Sequence, residues 1–249
     1  MIPFLRHIET RLGLLRSRII YDFQPGSFQK LLHFYRTFIR QGDLCFDIGA
    51  HTGNHSGVWV RLGAKVVAVE PQPAFARLLE KKFEADDNVT ILQKAVTEKD
   101  GHAELNINRF NPTISTLSDA WKTVISNYDR RNRSWAEISQ VETVTLDSLI
   151  AESGIPAFCK IDVEGMEEQV LDGLTFRLPA LSFEFFPTTP ERTFACISKI
   201  EKLGRYRFNY SLTEKYTYVS DVWLNSWGIR KAIDEYRGMR SGDIYAFKL

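Results

Sequence analysis

Short apolar runs and amphipathic stripes alternate along most of the chain. Apolar runs at 44–47, 65–69, 89–96, 157–162, 181–186, 206–211 and 243–248 read as strands, and 103–107 alternates like a hairpin strand. Between them, 28–39, the stretch after Gly53, 74–83, the stretch to Leu171, and 193–203 carry apolar residues at helical spacing. Thr145 to Leu149 reads as a strand end entering a short helix, with Asp147 as its cap. Strands and helices alternating at these lengths imply a doubly wound, mostly parallel α/β sheet. Ligands on such sheets sit beyond the carboxyl ends of the strands. Asp47, Glu70, Asp162 and Glu184 all fall at or near such ends, and Glu184 stands out among apolar neighbours.

Two stretches depart from this rhythm. Residues 4–20 place Phe4, Ile8, Leu12, Leu15 and Ile19 on one helical face with arginines between them, a pattern that can lie on a membrane surface and more often docks on its own domain or on a partner subunit. Together with 28–39 it forms an expected N-terminal helical cap over 1–40, ahead of one domain over 41–249, and a homo-oligomer through these helices is one expectation. Residues 108–140 are the least patterned part. Their hydroxyls, the arginines Arg130, Arg131 and Arg133, and Trp121 and Trp135 make them an insertion, either a substrate lid or a solvated loop.

The strongest local pattern is Asp47-Ile-Gly-Ala-His-Thr-Gly53, leading through Ser56 into a helix. Gly49 and Gly53 let backbone approach a ligand, and the first helical amides face it. Glu70, 23 residues after Asp47, ends the next strand, the distance at which an acid accepts both ribose hydroxyls of a nucleoside. A pyrophosphate is disfavoured, because Asp47 occupies the position of the first glycine of a dinucleotide loop. A carboxylate there suits the positively charged side of S-adenosylmethionine.

Composition narrows the classes further. At 249 residues, 44% hydrophobic and 25% charged, the chain supports a packed core, and a net charge of +1 gives no support for a nucleic-acid footprint. Cys45, Cys159 and Cys196 are far apart and read as buried thiols of a reducing compartment. With no signal peptide and no apolar run able to span a bilayer, a cytoplasmic protein is expected. His51 and His55 share a helical face but lack a third ligand, so no metal is assigned to them.

At Asp47 to Gly53 with Ser56, Val69-Glu70-Pro71, Thr145-Leu146-Asp147 and Lys160-Ile-Asp-Val-Glu-Gly165 with Glu167, the sequence resembles the FkbM family of S-adenosylmethionine-dependent methyltransferases. The resemblance covers about residues 40–187, and the Lys160–Gly165 block is its most specific part. His51 stands where an asparagine is common in the family. The resemblance implies a Rossmann-like class I methyltransferase with a mostly parallel seven-stranded sheet. It implies O-methylation of a hydroxyl on a sugar, glycan or natural product, with S-adenosylhomocysteine as product. Asp47, Gly49, Ala50, His51, Gly53, Ser56, Glu70 and Asp162 are the expected cofactor-binding residues, and Asp162 and Glu164 the expected catalytic pair. Deprotonating a hydroxyl calls for concerted removal by a carboxylate or for help from a divalent metal, and the residues leave both open. The alternative is a non-catalytic S-adenosylmethionine-binding or protein-interaction module on the same fold.

Overall fold

A computed structural model describes residues 26–108, 111–128, 135 and 137–249. The amphipathic stripe at 4–20, with the subunit contact expected of it, and the arginines at 130, 131 and 133 lie outside the described residues.

In chain order the elements are α1 (Ser27–Tyr35), β1 (Leu44–Ile48), α2 (Asn54–Arg61), β2 (Lys65–Val69), α3 (Pro73–Lys82), β3 (Val89–Leu92), β4 (Ala95–Val96) and β5 (Gly101–Ile107). There follow α4 (Asp119–Tyr128), β6 (Glu137–Val144), α5 (Leu146–Ser153), β7 (Phe158–Ile161), α6 (Glu167–Asp172), β8 (Ala180–Phe185), α7 (Pro190–Leu203), β9 (Tyr206–Leu212), α8 (Ser226–Glu235) and β10 (Gly242–Lys248). Seven strands form the main sheet in the order β3-β2-β1-β7-β8-β10-β9, and β10 runs antiparallel to both of its neighbours. The sheet is therefore mostly parallel, with one reversed strand.

Alternation along the strands sends side chains into two apolar layers. Phe46, Ile48, Ile161 and Phe183 pack with residues of α5, α6, α7 and α8 on one face. Cys45, Val66 and Phe158 pack with α1, α2 and α3 on the other. Helix α1 belongs to this second layer: Tyr35 is fully buried, and its ring meets Trp59 and Phe158 edge-on.

The 108–140 stretch is more ordered than its composition predicts. A 3-10 turn (Pro112–Ile114), α4 and the start of β6 lie within it. β6 joins β4 and β5 in a second, three-stranded sheet. Trp121 is buried with Ile114 and Ile125, and Trp135 and Phe186 pack against them. The cap of α5 also differs from expectation. Thr145 accepts the Ser148 N–H, while Asp147 accepts the N–H and hydroxyl of Thr175 at 2.8 and 2.6 Å. Asp147 thus ties the start of α5 to the loop after α6.

Candidate active site

One cavity of about 700 Å³ opens along the carboxyl ends of β1, β2, β7 and β8, within the size range of small-ligand sites. Gly49, Ala50, His51, Glu70, Asp162 and Glu164 line it, as the sequence suggested, together with Glu184 and Asp243. Asp47, Gly53 and Ser56 are not among its lining residues.

Asp47 is turned into the protein. Its Oδ2 accepts the Ser56 N–H at 3.1 Å and the Ser56 hydroxyl at 2.5 Å, so the carboxylate caps α2. The helix amide expected to face a ligand is satisfied by the protein's own acid. Gly53 takes φ +70 and is a glycine because a side chain there would strike Leu79 and Phe83. Gly49, at φ +83, faces the Asp162 carbonyl so closely that any Cβ would overlap it. Close approach is required there, but between two strand ends, which the Asp162 N–H also joins by donating to the Ile48 carbonyl at 2.9 Å. Gly49→Val therefore separates β1 from β7.

On the β2 side, Glu70 is held by backbone. His51 N–H donates to its Oε2 and Gln72 N–H to its Oε1, both at 2.9 Å. Burial raises its pKa to about 7 against the pull of those amides. Each oxygen retains a lone pair, so a bound diol has two oriented acceptors. Gln72 reaches across to the 3-10 turn, donating to the Pro112 carbonyl and accepting from the Ser115 hydroxyl, both at 3.1 Å. His51 lies against the Phe75 ring with centroids 4.1 Å apart, and His55 Nδ1 pairs with the Tyr35 hydroxyl at 2.9 Å. Each ring is engaged by a different neighbour.

On the β7 side the chain turns sharply through Glu164 (φ +52) and Gly165 (φ +88). Glu167 Oε1 clips this turn by accepting the N–H groups of Val163 and Gly165, each at 3.2 Å. The Trp121 ring lies on Gly165, where a Cβ would overlap it, and the Arg192 guanidinium covers the indole and donates to the Gly165 carbonyl. Thr116 donates to the Glu164 carbonyl at 2.8 Å. The insertion is thus the outer clamp of the acidic turn. Gly165→Ala is expected to destabilise the fold by about 1–3 kcal/mol, through overpacking and a left-handed backbone together, and a melting curve checks it.

The turn brings oxygens of Asp162, Glu164 and Glu184 within 4.8 Å of one another, a donor set that suits a divalent cation. A cation is already built in, since Lys160 Nζ lies 2.6 Å from Asp162 Oδ2. Burial alone would lower the Lys160 pKa, but Asp162, Asp243 and Asp47 together raise it. Burial raises the pKa values of Glu164 and Glu184 well above the ordinary carboxylate range, and Asp162 beside them adds to the rise. Asp243 is pushed up to about 6, chiefly by burial. Glu184 was legible as an acid in an apolar strand. The side-chain contacts of Gln72 and Trp121 had no sequence signal, since they reach residues far along the chain, and Lys160 stood in the Lys160–Gly165 block with no sign that it would pair with Asp162.

A family model described as the methyltransferase FkbM domain matches residues 47–210, about two thirds of the chain. The chain belongs to the FkbM methyltransferase family. The match takes in both sides of the cavity and runs past residue 187, where the sequence resemblance ends. Among curated FkbM-chain relatives, hexuronic acid methyltransferase AglP of Haloferax volcanii is 27% identical over 146 residues, covering 57% of this chain and 54% of that protein. The chloroplastic ribosomal RNA small subunit methyltransferase of Arabidopsis thaliana is 34% identical over 56 residues, 22% of this chain and 16% of that protein. The chain therefore spans about half the length, or less, of these curated relatives. Precorrin-6y C5,15-methyltransferase of Geobacter metallireducens superposes with a TM-score of 0.48 at 13% identity, covering 89% of this FkbM chain and 87% of that one. Among the described residues no helix is long and apolar enough to cross a membrane.

Proposed function

We propose that this FkbM chain transfers the methyl group of S-adenosylmethionine to a hydroxyl of a sugar, a glycan or a sugar-bearing natural product. The observation that carries this reading is the division of one cavity between Glu70, fixed by two amides, and the carboxylates at the ends of β7 and β8. The donor set suits the cofactor: a diol acceptor at one end and an excess of acids to face a sulfonium and an ammonium at the other. When bound, S-adenosylmethionine supplies a methyl already activated for transfer. Glu70 accepts the ribose hydroxyls. Asp162, paired with the Lys160 ammonium at 2.6 Å, faces the donor's positive end. Of Glu164 and Glu184, neighbours in the one acidic cluster, an ionised member takes the single proton of the acceptor hydroxyl as it attacks. The 111–121 stretch, tied to Gln72 and to Glu164, forms the lid over the acceptor.

The name of the Haloferax relative supports a sugar acceptor, and the net charge of +1 favours a small molecule or glycan over nucleic acid. Three free, buried cysteines support a reducing compartment such as the cytoplasm.

Calorimetry with S-adenosylmethionine, S-adenosylhomocysteine and NAD tests the donor, and methyl transfer to a panel of sugars tests the acceptor. Binding of NAD but of neither methyl-donor ligand would overturn the reading. Glu70→Gln is expected to weaken donor binding by about 1.5–3 kcal/mol for each charge-assisted hydrogen bond lost. In the wild type the carboxylate ionises through about pH 7, so donor affinity should rise between pH 6 and pH 8. The Gln variant should show a flatter profile over the same range.

A further inference from the structure

Four cations line the cavity: Lys94, Lys160, Lys215 and Arg240. Two are committed, Lys94 to Glu142 and Lys160 to Asp162, each at 2.6 Å. Lys215 and Arg240 have no ion-pair partner among the described residues. They sit on two neighbouring segments, one leaving β9 and one entering β10. The Thr213 N–H donates to the Ser241 carbonyl at 2.9 Å and fastens these segments side by side. The first segment is unusual, for Thr213 and Tyr216 both take left-handed φ, +52 and +53. Such conformations cost free energy in non-glycine residues and persist where the surroundings impose them. Here Tyr216 is buried, with Phe34 and His55 as ring neighbours, so the loop is drawn over the sheet toward the start of α2. The rest of the cavity wall carries Glu70, Asp162, Glu164, Glu184 and Asp243.

We propose that Lys215 and Arg240 form a carboxylate-binding ridge, the stretch of this cavity wall that carries uncommitted positive charge among the described residues. An anion is repelled by the acidic floor, and these two side chains offer a guanidinium fork and an ammonium on a common backbone support. Two carboxylates fit the chemistry: the amino-acid carboxylate of the methyl donor, and that of an acidic sugar acceptor. The inference rests on the methyltransferase reading above, which supplies both candidates.

The test uses the full-length chain and the double variant K215Q/R240Q, in which both altered side chains are exposed. Wild type and variant are titrated by calorimetry with S-adenosylhomocysteine and with 5′-methylthioadenosine, which lacks the amino-acid carboxylate. With S-adenosylhomocysteine bound, each is also titrated by NMR with glucuronic acid and with glucose. If the ridge holds the donor, affinity for S-adenosylhomocysteine falls roughly ten- to hundredfold and that for 5′-methylthioadenosine is unchanged. If it holds the acceptor, S-adenosylhomocysteine binds as in the wild type and glucuronic acid alone is lost. A variant that binds all four as the wild type does overturns the ridge and leaves the methyltransferase reading standing. A wild type that does not bind S-adenosylhomocysteine overturns that reading instead; the ridge then stands or falls on whether glucuronic acid, titrated alone, binds the wild type and is lost in the variant.

Discussion

Glu184→Gln and Glu164→Gln are each expected to lower turnover by about 10²–10⁴-fold, the contribution of a positioned general base. Their oxygens stand within one cluster and serve one acceptor proton, and burial together with Asp162 raises the proton affinity of both. Removing both groups should then cost little more than removing either. Donor affinity should change less than turnover, because Glu70, held by the His51 and Gln72 amides, is left intact. Asp162→Asn should behave in the opposite way, losing donor affinity and regaining near-normal turnover at saturating donor. Turnover against donor concentration for the three variants decides the assignment. If Asp162→Asn remains slow at saturation while both Gln variants keep their activity, Asp162 is the base.

The second large effect is on stability. Lys160→Met should destabilise the fold by about 3–5 kcal/mol, the usual cost of leaving buried charges unpaired. Lys160 is buried and faces Asp162, Asp243 and Asp47, so its loss uncovers three acids at once. The sign with pH follows from proton binding. Because its folded pKa lies above the ordinary 10.5, the lysine's contribution is fully present below about pH 10.5 and disappears only above it. The acids respond at lower pH. In the wild type Asp243 already holds its proton up to about pH 6, and without the lysine it holds it higher still. Asp243 holds its proton at pH 5, so the variant's deficit is smaller there than at pH 8, where Asp243 must ionise without the lysine. Melting curves at the two pH values measure this, and an equal deficit at both would remove Lys160 from the charge balance.

The parallel strands were legible because each is a short apolar run between turn signals, and the strand-end acids follow from where such runs stop. The direction of Asp47 was not. β1 is buried on both faces, so alternation does not say which way its side chains point, and only the Ser56 contacts do. Only the end of β6 was legible, because Ile138 faces solvent while Ser139 is half-buried, inverting the usual alternation at its start. Helix α8 carries its own signals, an Asn225 cap accepting from Gly228 and Ile229 and Ile233 on the buried side. Gly228 and the exposed Trp227 obscure them. The Trp121 clamp joins residues 44 apart in sequence through shape alone, and no local spacing encodes it.

The reversed strand imposes an order of assembly. β9 meets the sheet only through β10, which lies between it and β8 although it follows both in the chain. Until β10 is inserted, the inner edge of β9 lacks its partner, leaving Phe208 and Tyr210, which end up buried, short of their final packing. Unpaired strand edges of this kind nucleate association between chains. Substitutions in α8 or β10 that slow insertion therefore threaten yield before they touch catalysis, and their first symptom is aggregation during refolding.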